Sequence, residues 1–462
     1  MVSGLEQMTR RHPELTFDNP TGCSYNPCRF AVSRASNSLE TRSLTMKKII
    51  TSAGMVAVGA SSLYAVNYGD LSSDQTSKRW SVSAAVRGFY DDNYTTRPSG
   101  PQKRDSLGFE VSPSASYNMP METSFLGLTY VYTMAYFADR ADSKIDQTHD
   151  VRLNFDHRFS EQYHLNFTDQ FTYSFEPTLI DQGATVTSPL RLDAEALHNR
   201  AVLSVDAQLT PVWSVLGGYE NNFYDYRESG DGSYSALLDR VEHLFRGDLR
   251  YTLSPNTTAF LGYQFGINDY RSSDFLSFTS LLRGEDRSST SHYGYVGAEH
   301  KFSSMLSVEG RAGIQFVDYD ELNQDDTSPY IDLIGTYNYL PGSYLKLGLR
   351  QAHNGTDVAG AATTADDVTL DQNTTTVYLS VNHRITALVT ANSLLQYQHS
   401  VYNGGAADGE ADDYISLGLS LAYKLNRNWS VEASYYLDRL SSDISGREFT
   451  RNRILAGVRG TY

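Results

Sequence analysis

From Asp413 to Leu425 the chain reads DYISLGLSLAYKL. Ile415, Leu417, Leu419, Leu421, Tyr423 and Leu425 alternate with Tyr414, Ser416, Gly418, Ser420, Ala422 and Lys424. A strand turns neighbouring side chains to opposite faces, so this segment predicts a strand with one oily face and one small or polar face. The pattern recurs along most of the chain. Trp429, Val431, Ala433, Tyr435 and Leu437 share one phase, and so do Leu345, Leu347 and Leu349. Val151, Leu153, Phe155 and Phe159 repeat it, as do Leu306, Val308, Ala312, Ile314 and Phe316. No helical period of comparable strength appears after residue 65.

The spacers alternate too. Short ones fall at 118–123, 160–162, 210–212, 254–257, 303–305, 340–343, 384–387 and 426–428. Longer, more polar ones fall at 91–104, 139–147, 177–194, 227–239, 271–288, 320–327, 354–371, 403–412 and 441–446. The two sets interleave, which predicts about 18 strands of roughly 10–15 residues, with 16 as the next count. Strands in soluble sandwiches average about 5–6 residues, and their turns show no such asymmetry. The reading is therefore all-β: a single antiparallel transmembrane β-barrel with short periplasmic turns and longer extracellular loops. Its oily face meets lipid and its polar face a lumen. Closure is obligatory, because an open edge in hydrocarbon leaves unpaired backbone groups.

Composition sharpens this. Of 462 residues 40% are hydrophobic, and no run of 18 apolar residues exists, which excludes a helical membrane bundle. Tyrosine, with 33 copies, favours strands and membrane interfaces. Residues 1–45 carry both cysteines, Cys23 and Cys28, without periodicity. Met46–Ala65 then reads as a secretory signal peptide: basic Lys47 and Lys48, a short apolar core, and small residues before the cleavage region. Residues 1–45 are expected to be a non-native or disordered extension, 46–65 the signal, and 66–462 the barrel. The barrel segment has no cysteine, hence no disulfide. Seven of the 38 Lys/Arg and four of the 54 Asp/Glu precede residue 66, leaving 31 bases against 50 acids. Such an acidic exported chain does not suit nucleic acid.

In TRNRILAGVRGTY, Ile454, Ala456, Val458, Gly460 and Tyr462 share one face, and Arg451, Arg453 and Arg459 the other. The aromatic Tyr462, in phase with the oily face, resembles the C-terminal signal by which outer-membrane barrels reach the barrel-assembly machinery. The segments RGFYDDNY (87–94) and DSLGFEVSPSASY (105–117) carry Tyr90, Asp91, Asp92, Asn93, Ser112 and Pro113. They resemble the opening of the outer-membrane beta-barrel porin family of Gram-negative type. That resemblance implies an outer-membrane location and a pore, and supplies no catalytic residues.

The phase names a lumen set. Its bases are Arg87, Arg152, Arg158, Arg200, Arg246, Arg250, Arg311, Lys346, Arg350, Arg451, Arg453 and Arg459. Its acids include Glu110, Asp156, Asp206, Asp248, Glu309, Asp332, Glu432 and Asp438. On the lipid side an arginine at the midplane would cost about 2–4 kcal/mol. Paired across strands, these charges either satisfy one another or sort solutes by charge. Ser112, Ser114, Ser116, Gly262, Gly266, Ser416, Gly418 and Ser420 are expected to leave space inside. Loops 177–194, 271–288 and 354–371 are the candidate plugs. Phe275, Leu276, Phe278, Leu281 and Leu282 predict that 271–288 folds inward as a constriction or packs as a short helix against the rim.

The eleven histidines form no H-x-x-x-H or H-E-x-x-H pattern, and no G-x-S-x-G exists. No enzyme, cofactor or metal site is expected. His157, His383 and His399 read as interfacial. Asp325, Asp326, Asp408, Glu410, Asp412 and Asp413 read as solvated loop acids that could bridge divalent cations to lipopolysaccharide. The expected function is an outer-membrane porin passing small hydrophilic solutes by diffusion, with lipid and lipopolysaccharide as surroundings and a homo-oligomer open. An export component for polysaccharide, or a structural or adhesive barrel with a closed lumen, are the alternatives.

Overall fold

The computed structural model describes residues 78–141, 143–175, 188–190, 195–319, 321–359 and 363–462. The expected signal peptide and N-terminal extension lie outside the described residues, as does most of the 177–194 loop. Eighteen strands form the fold: β1 (Trp80–Asp91), β2 (Ser106–Pro120), β3 (Ser124–Phe137), β4 (Ile145–Arg158), β5 (Tyr163–Ser174), β6 (Ala196–Gln208), β7 (Trp213–Tyr226), β8 (Arg240–Ser254) and β9 (Thr257–Tyr270), then β10 (Ser289–Lys301), β11 (Leu306–Tyr319), β12 (Gln324–Leu340), β13 (Ser343–Asn354), β14 (Asp371–Arg384), β15 (Val389–Asn403), β16 (Ala411–Lys424), β17 (Trp429–Ser442) and β18 (Phe449–Thr461). One five-residue helix, α1 (Tyr234–Leu238), sits between β7 and β8. Among the described residues no helix is long and apolar enough to cross a membrane.

Every strand pairs antiparallel with its sequence neighbours, and β1 pairs with β18 from Ser83↔Thr461 to Asp91↔Arg453. The sheet is thus a closed barrel with no free edge, as backbone satisfaction in lipid requires. At the seam, Val82 and Tyr462 exchange backbone hydrogen bonds of 3.1 and 2.8 Å.

Alternation in the sequence becomes two faces. In β1 burial alternates residue by residue, with Ser81, Ser83, Ala85 and Arg87 inside and Val82 and Val86 exposed outside. Outward Leu261, Val296 and Ile454 are all more than half exposed, whereas inward Ser112 and Ser416 are fully buried. Trp80, Trp213, Trp429, Phe159, Phe302 and Tyr163 stand exposed at the short-turn end, and such aromatic bands mark a membrane interface. His157, His383 and His399 stand outward near strand ends, bonded to Ser124, Tyr339 and Asp413.

The connections after even-numbered strands hold two to four residues. In one of the two shortest, Pro341-Gly342, Gly342 takes φ +77°, the left-handed position that a type II turn needs after proline. Connections after odd-numbered strands are longer, with one correction. The expected loop 320–327 is only 320–323, because β12 begins at Gln324 and pairs Asp325 with Asp318 and Asp326 with Val317. The ladder continues where both faces meet water, so polar composition there does not end the strand. Asn323, at φ +50°, makes the tight turn.

Candidate functional site: the barrel interior

The register decides what the inward residues meet. Arg87 on β1 donates from Nη1 to Glu110 Oε1 on β2 at 2.5 Å and from Nη2 to Glu432 Oε2 on β17 at 2.7 Å. Glu432 also accepts from Arg459 at 2.5 Å. Arg451 meets Asp91 at 2.5 Å, and Arg453 meets Asp438 at 2.7 Å. Beside these pairs lies an inward apolar cluster of Phe89, Phe137, Leu394, Tyr414, Tyr436, Leu440, Phe449 and Leu455, with Leu190 of the β5–β6 loop packed on it. The sector around β15–β18 and β1–β3 is therefore filled by side chains.

The other sector is open. A cavity of about 640 Å³ runs along β5–β13. On one wall Arg200 pairs with Glu220 at 2.8 Å, and Arg240 with Glu242 at 2.8 Å. On the other, Asp332 accepts from Arg311 at 3.3 Å and Arg350 at 3.5 Å. Tyr224, Tyr293 and Tyr330 lie among them. The cavity is lined by these paired charges together with apolar Val202, Leu216 and Ile267.

At the loop end, segments from several connections meet. Leu237, Leu238, Leu276, Leu322, Val368 and Leu370 bury one another against Val317 and Tyr319 of β11. Fully buried Arg287 donates to the carbonyls of Leu237, Thr369 and Thr356, joining three loops. Arg447 of the β17–β18 loop pairs with Asp357 of the β13–β14 loop at 2.9 Å and with Asp412 at 3.2 Å. Burial pushes the Asp239 carboxyl, after α1, up to about 6, against hydrogen bonds from the Ser235 hydroxyl and the Tyr226 amide. Loop 271–288 takes the rim position: its 3₁₀ turn Gly284–Arg287 and Leu276 pack inward, while Phe278 and Leu281 stay exposed.

The ladder register places each base and acid of the lumen set on the inward face. Arg246 binds Asp248, Arg250 binds Glu299 at 3.2 Å and lies 3.9 Å from Asp206, and Arg311 also binds Glu309. Arg152 holds Asp150 at 2.7 Å, Asp156 holds His164 at 2.6 Å, and Lys346 lies 5.9 Å from the Tyr378 ring centre. Arg158 is exposed at its short turn. Tyr462 is exposed on the outward phase.

Two expectations are corrected. Most of the small inward residues leave no free space, although Gly266 borders the cavity. The Tyr295 ring lies over Gly262, where a Cβ would stand 2.1 Å from it, and Ser291 occupies the corresponding place at Gly266. Ser112, Ser116, Ser416, Gly418 and Ser420 are buried under larger neighbours. Nor do the acids at 408–413 cluster, whereas Asp326 stands near His353 and Asp371. Strand alternation turns Asp412 inward to Tyr402 and Asp413 outward to Tyr397, while Asp408 caps the Gly404 amide. Arg240, Glu220 and Glu242 were missed, though extending the phase of β7 and β8 toward the loops would have found them. Arg287, Asp357 and Arg447 lie in loops, where no period marks them.

No curated protein relative matches the chain. Among solved structures, OpdK of Pseudomonas aeruginosa is similar at 10% identity and a TM-score of 0.41, covering 83% of this chain and 99% of its own. OccAB2 of Acinetobacter baumannii gives 12%, 0.40, 83% and 98%. The FrpB iron transporter of Neisseria meningitidis gives 10%, 0.38, 79% and 63%. Likeness at this level carries no argument about a solute. A family model described as Putative beta-barrel porin 2 matches residues 81–462, and the chain belongs to that family of porins of the cell outer membrane.

Proposed function

We propose that the protein is a channel for passive diffusion of small hydrophilic solutes, along the open sector between β5 and β13. The observation that carries this is the cavity of about 640 Å³ walled in part by paired arginines and carboxylates. Such walls orient water and dipolar solutes without a deep binding site, which favours passage over retention. Reconstitution into planar bilayers tests it. Stepwise ohmic conductance is expected, and silence would sink the reading. Silence would favour a closed-lumen structural barrel, for which the loop clamp at Arg287 and Arg447 is the supporting feature. Export with a docked partner is disfavoured, since short turns of two to four residues offer little platform.

The lumen charges are proposed to set selectivity. Asp332 is shared by Arg311 and Arg350. Asp332→Asn leaves a positive excess on that wall and is expected to move the reversal potential in a salt gradient toward anions. Arg350→Ala is expected to move it toward cations. Identical reversal potentials in both variants would remove these residues from selectivity.

Tyr462 is proposed to serve in recognition by the assembly machinery. Deleting it also removes the seam bonds to Val82. A lower fraction of compact, heat-modifiable barrel in the outer membrane is expected. Tyr462→Phe keeps the ring and the backbone and is expected to restore assembly.

A further inference from the structure

Three strands deliver chemistry to one place at the loop end of the cavity. Asp326 comes from β12, His353 from β13 and Asp371 from β14, and one ligand atom from each lies within 4.8 Å of the others. The β12–β13 ladder stops at Ile331↔Gln351. Pro329, two residues on, has no N–H to extend it. The freed amide of His353 donates instead to Oε1 of Gln315 on β11, at 3.2 Å. The imidazole, which strand phase alone would send to lipid, lies between Asp326 and Asp371.

The His353 side chain is 4% exposed. Its Nδ1 is 3.2 Å from Asp371 Oδ2 and its Nε2 is 3.3 Å from Asp326 Oδ2. Both carboxylates lie within ion-pair distance of the ring, but neither contact has well-directed hydrogen-bond geometry. Buried polar atoms without hydrogen bonds are costly, and such groups call for another partner. Zinc bonds of about 2.0–2.2 Å in tetrahedral geometry hold neighbouring ligand atoms about 3.3 Å apart, close to both observed spacings. Asp371 is held by Asn403 Nδ2, which donates to its Oδ1 at 2.5 Å, and by the Tyr319 hydroxyl, which donates to the same Oδ2 that faces His353, support of the kind that orients metal-binding carboxylates. His353 and Asp371 both border the cavity, so an ion in the lumen reaches them. Imidazole with carboxylates suits first-row divalent ions better than Ca²⁺ or Mg²⁺.

We propose that Asp326, His353 and Asp371 form a binding site for a divalent transition-metal ion of the Zn²⁺ class in the channel wall. The ion takes one ring nitrogen and the carboxylate beside it. The other carboxylate either swings in as a third ligand or holds the remaining ring N–H. The site does not depend on the diffusion reading.

Calorimetric titration of the purified barrel in detergent with Zn²⁺ at pH 7.5 tests it. One ion per chain is expected, bound at least about tenfold more weakly by His353→Ala and Asp326→Asn and unchanged by His292→Ala. X-ray absorption of the Zn²⁺-loaded wild type needs no variant and is expected to show imidazole scattering with nitrogen and oxygen at about 2.0–2.2 Å. Absence of saturable binding, undiminished binding by His353→Ala, or a spectrum without imidazole would each overturn the site. Absence of binding together with a lowered unfolding temperature in His353→Ala would show an ion-pair bridge instead. These readouts use no bilayer, so a silent channel and an empty site are distinguishable failures.

Discussion

Replacing Arg87 by methionine is expected to lower barrel stability by about 3–5 kcal/mol, the usual cost of stripping one partner from a buried ion pair. The Arg87 side chain is 4% exposed, and those of Glu110 and Glu432 are 2% and 7% exposed. Its guanidinium ties β1 to β2 on one side and reaches past β18 to β17 on the other. Without it, Glu110 loses its 2.5 Å partner and Glu432 keeps Arg459. Both carboxylates remain under side chains that exclude water. The damage falls where the barrel closes, so a lower midpoint of the heat-induced gel shift is expected. Arg87→Met combined with Glu110→Gln is expected to recover much of the loss, because uncompensated buried charge at Glu110 causes it, while Glu432 stays paired with Arg459. A midpoint equal to wild type in the single variant would show that water reaches this cluster. Arg158→Ala, at an exposed turn, is the control expected to change little.

Replacing residues 356–369 with a short Gly-Ser turn is expected to raise single-channel conductance severalfold. The described parts of this loop are held by several anchors. Arg287 holds its Thr356 and Thr369 carbonyls, Arg447 holds Asp357, and Gln372 donates to the Gly355 carbonyl at 2.9 Å. Val368 joins the apolar cluster of the neighbouring loops. Strands β13 and β14 pair through eleven residues without help from the loop, so the barrel itself should persist. Arg447→Ala, which cuts one anchor, is expected to give a smaller rise with more frequent transitions between levels. Unchanged conductance and unchanged exclusion of larger sugars in the loop variant would show that the narrowest point lies elsewhere.

Much of the architecture is legible in the sequence alone. Each strand of such a barrel faces hydrocarbon on one side and a wet lumen on the other, so period-two alternation survives along nearly its whole length. Ile454 and Arg453 are adjacent in sequence and on opposite faces in space for that reason. Interleaved short and long spacers gave the strand count because one end turns tightly and the other carries the loops. The reading failed at Asp325 and Asp326, where a strand continues above the lipid level and both faces turn polar.

Partner choice was not legible. Arg87 and Glu432 lie 345 residues apart, and only closure of β18 on β1 brings them into contact. The filling of one sector by Phe89, Tyr414, Tyr436 and Leu455 depends on inward side chains from strands at both ends of the chain. His353 belongs by phase with the lipid-facing residues, and only the early end of the β12–β13 ladder turns it toward two carboxylates. The chain by itself determined which face each residue takes, because alternation is a local property of extended backbone. Which inward residues meet, and where the lumen stays open, was decided by register, closure and loop packing, because those distances are set by strands remote in sequence.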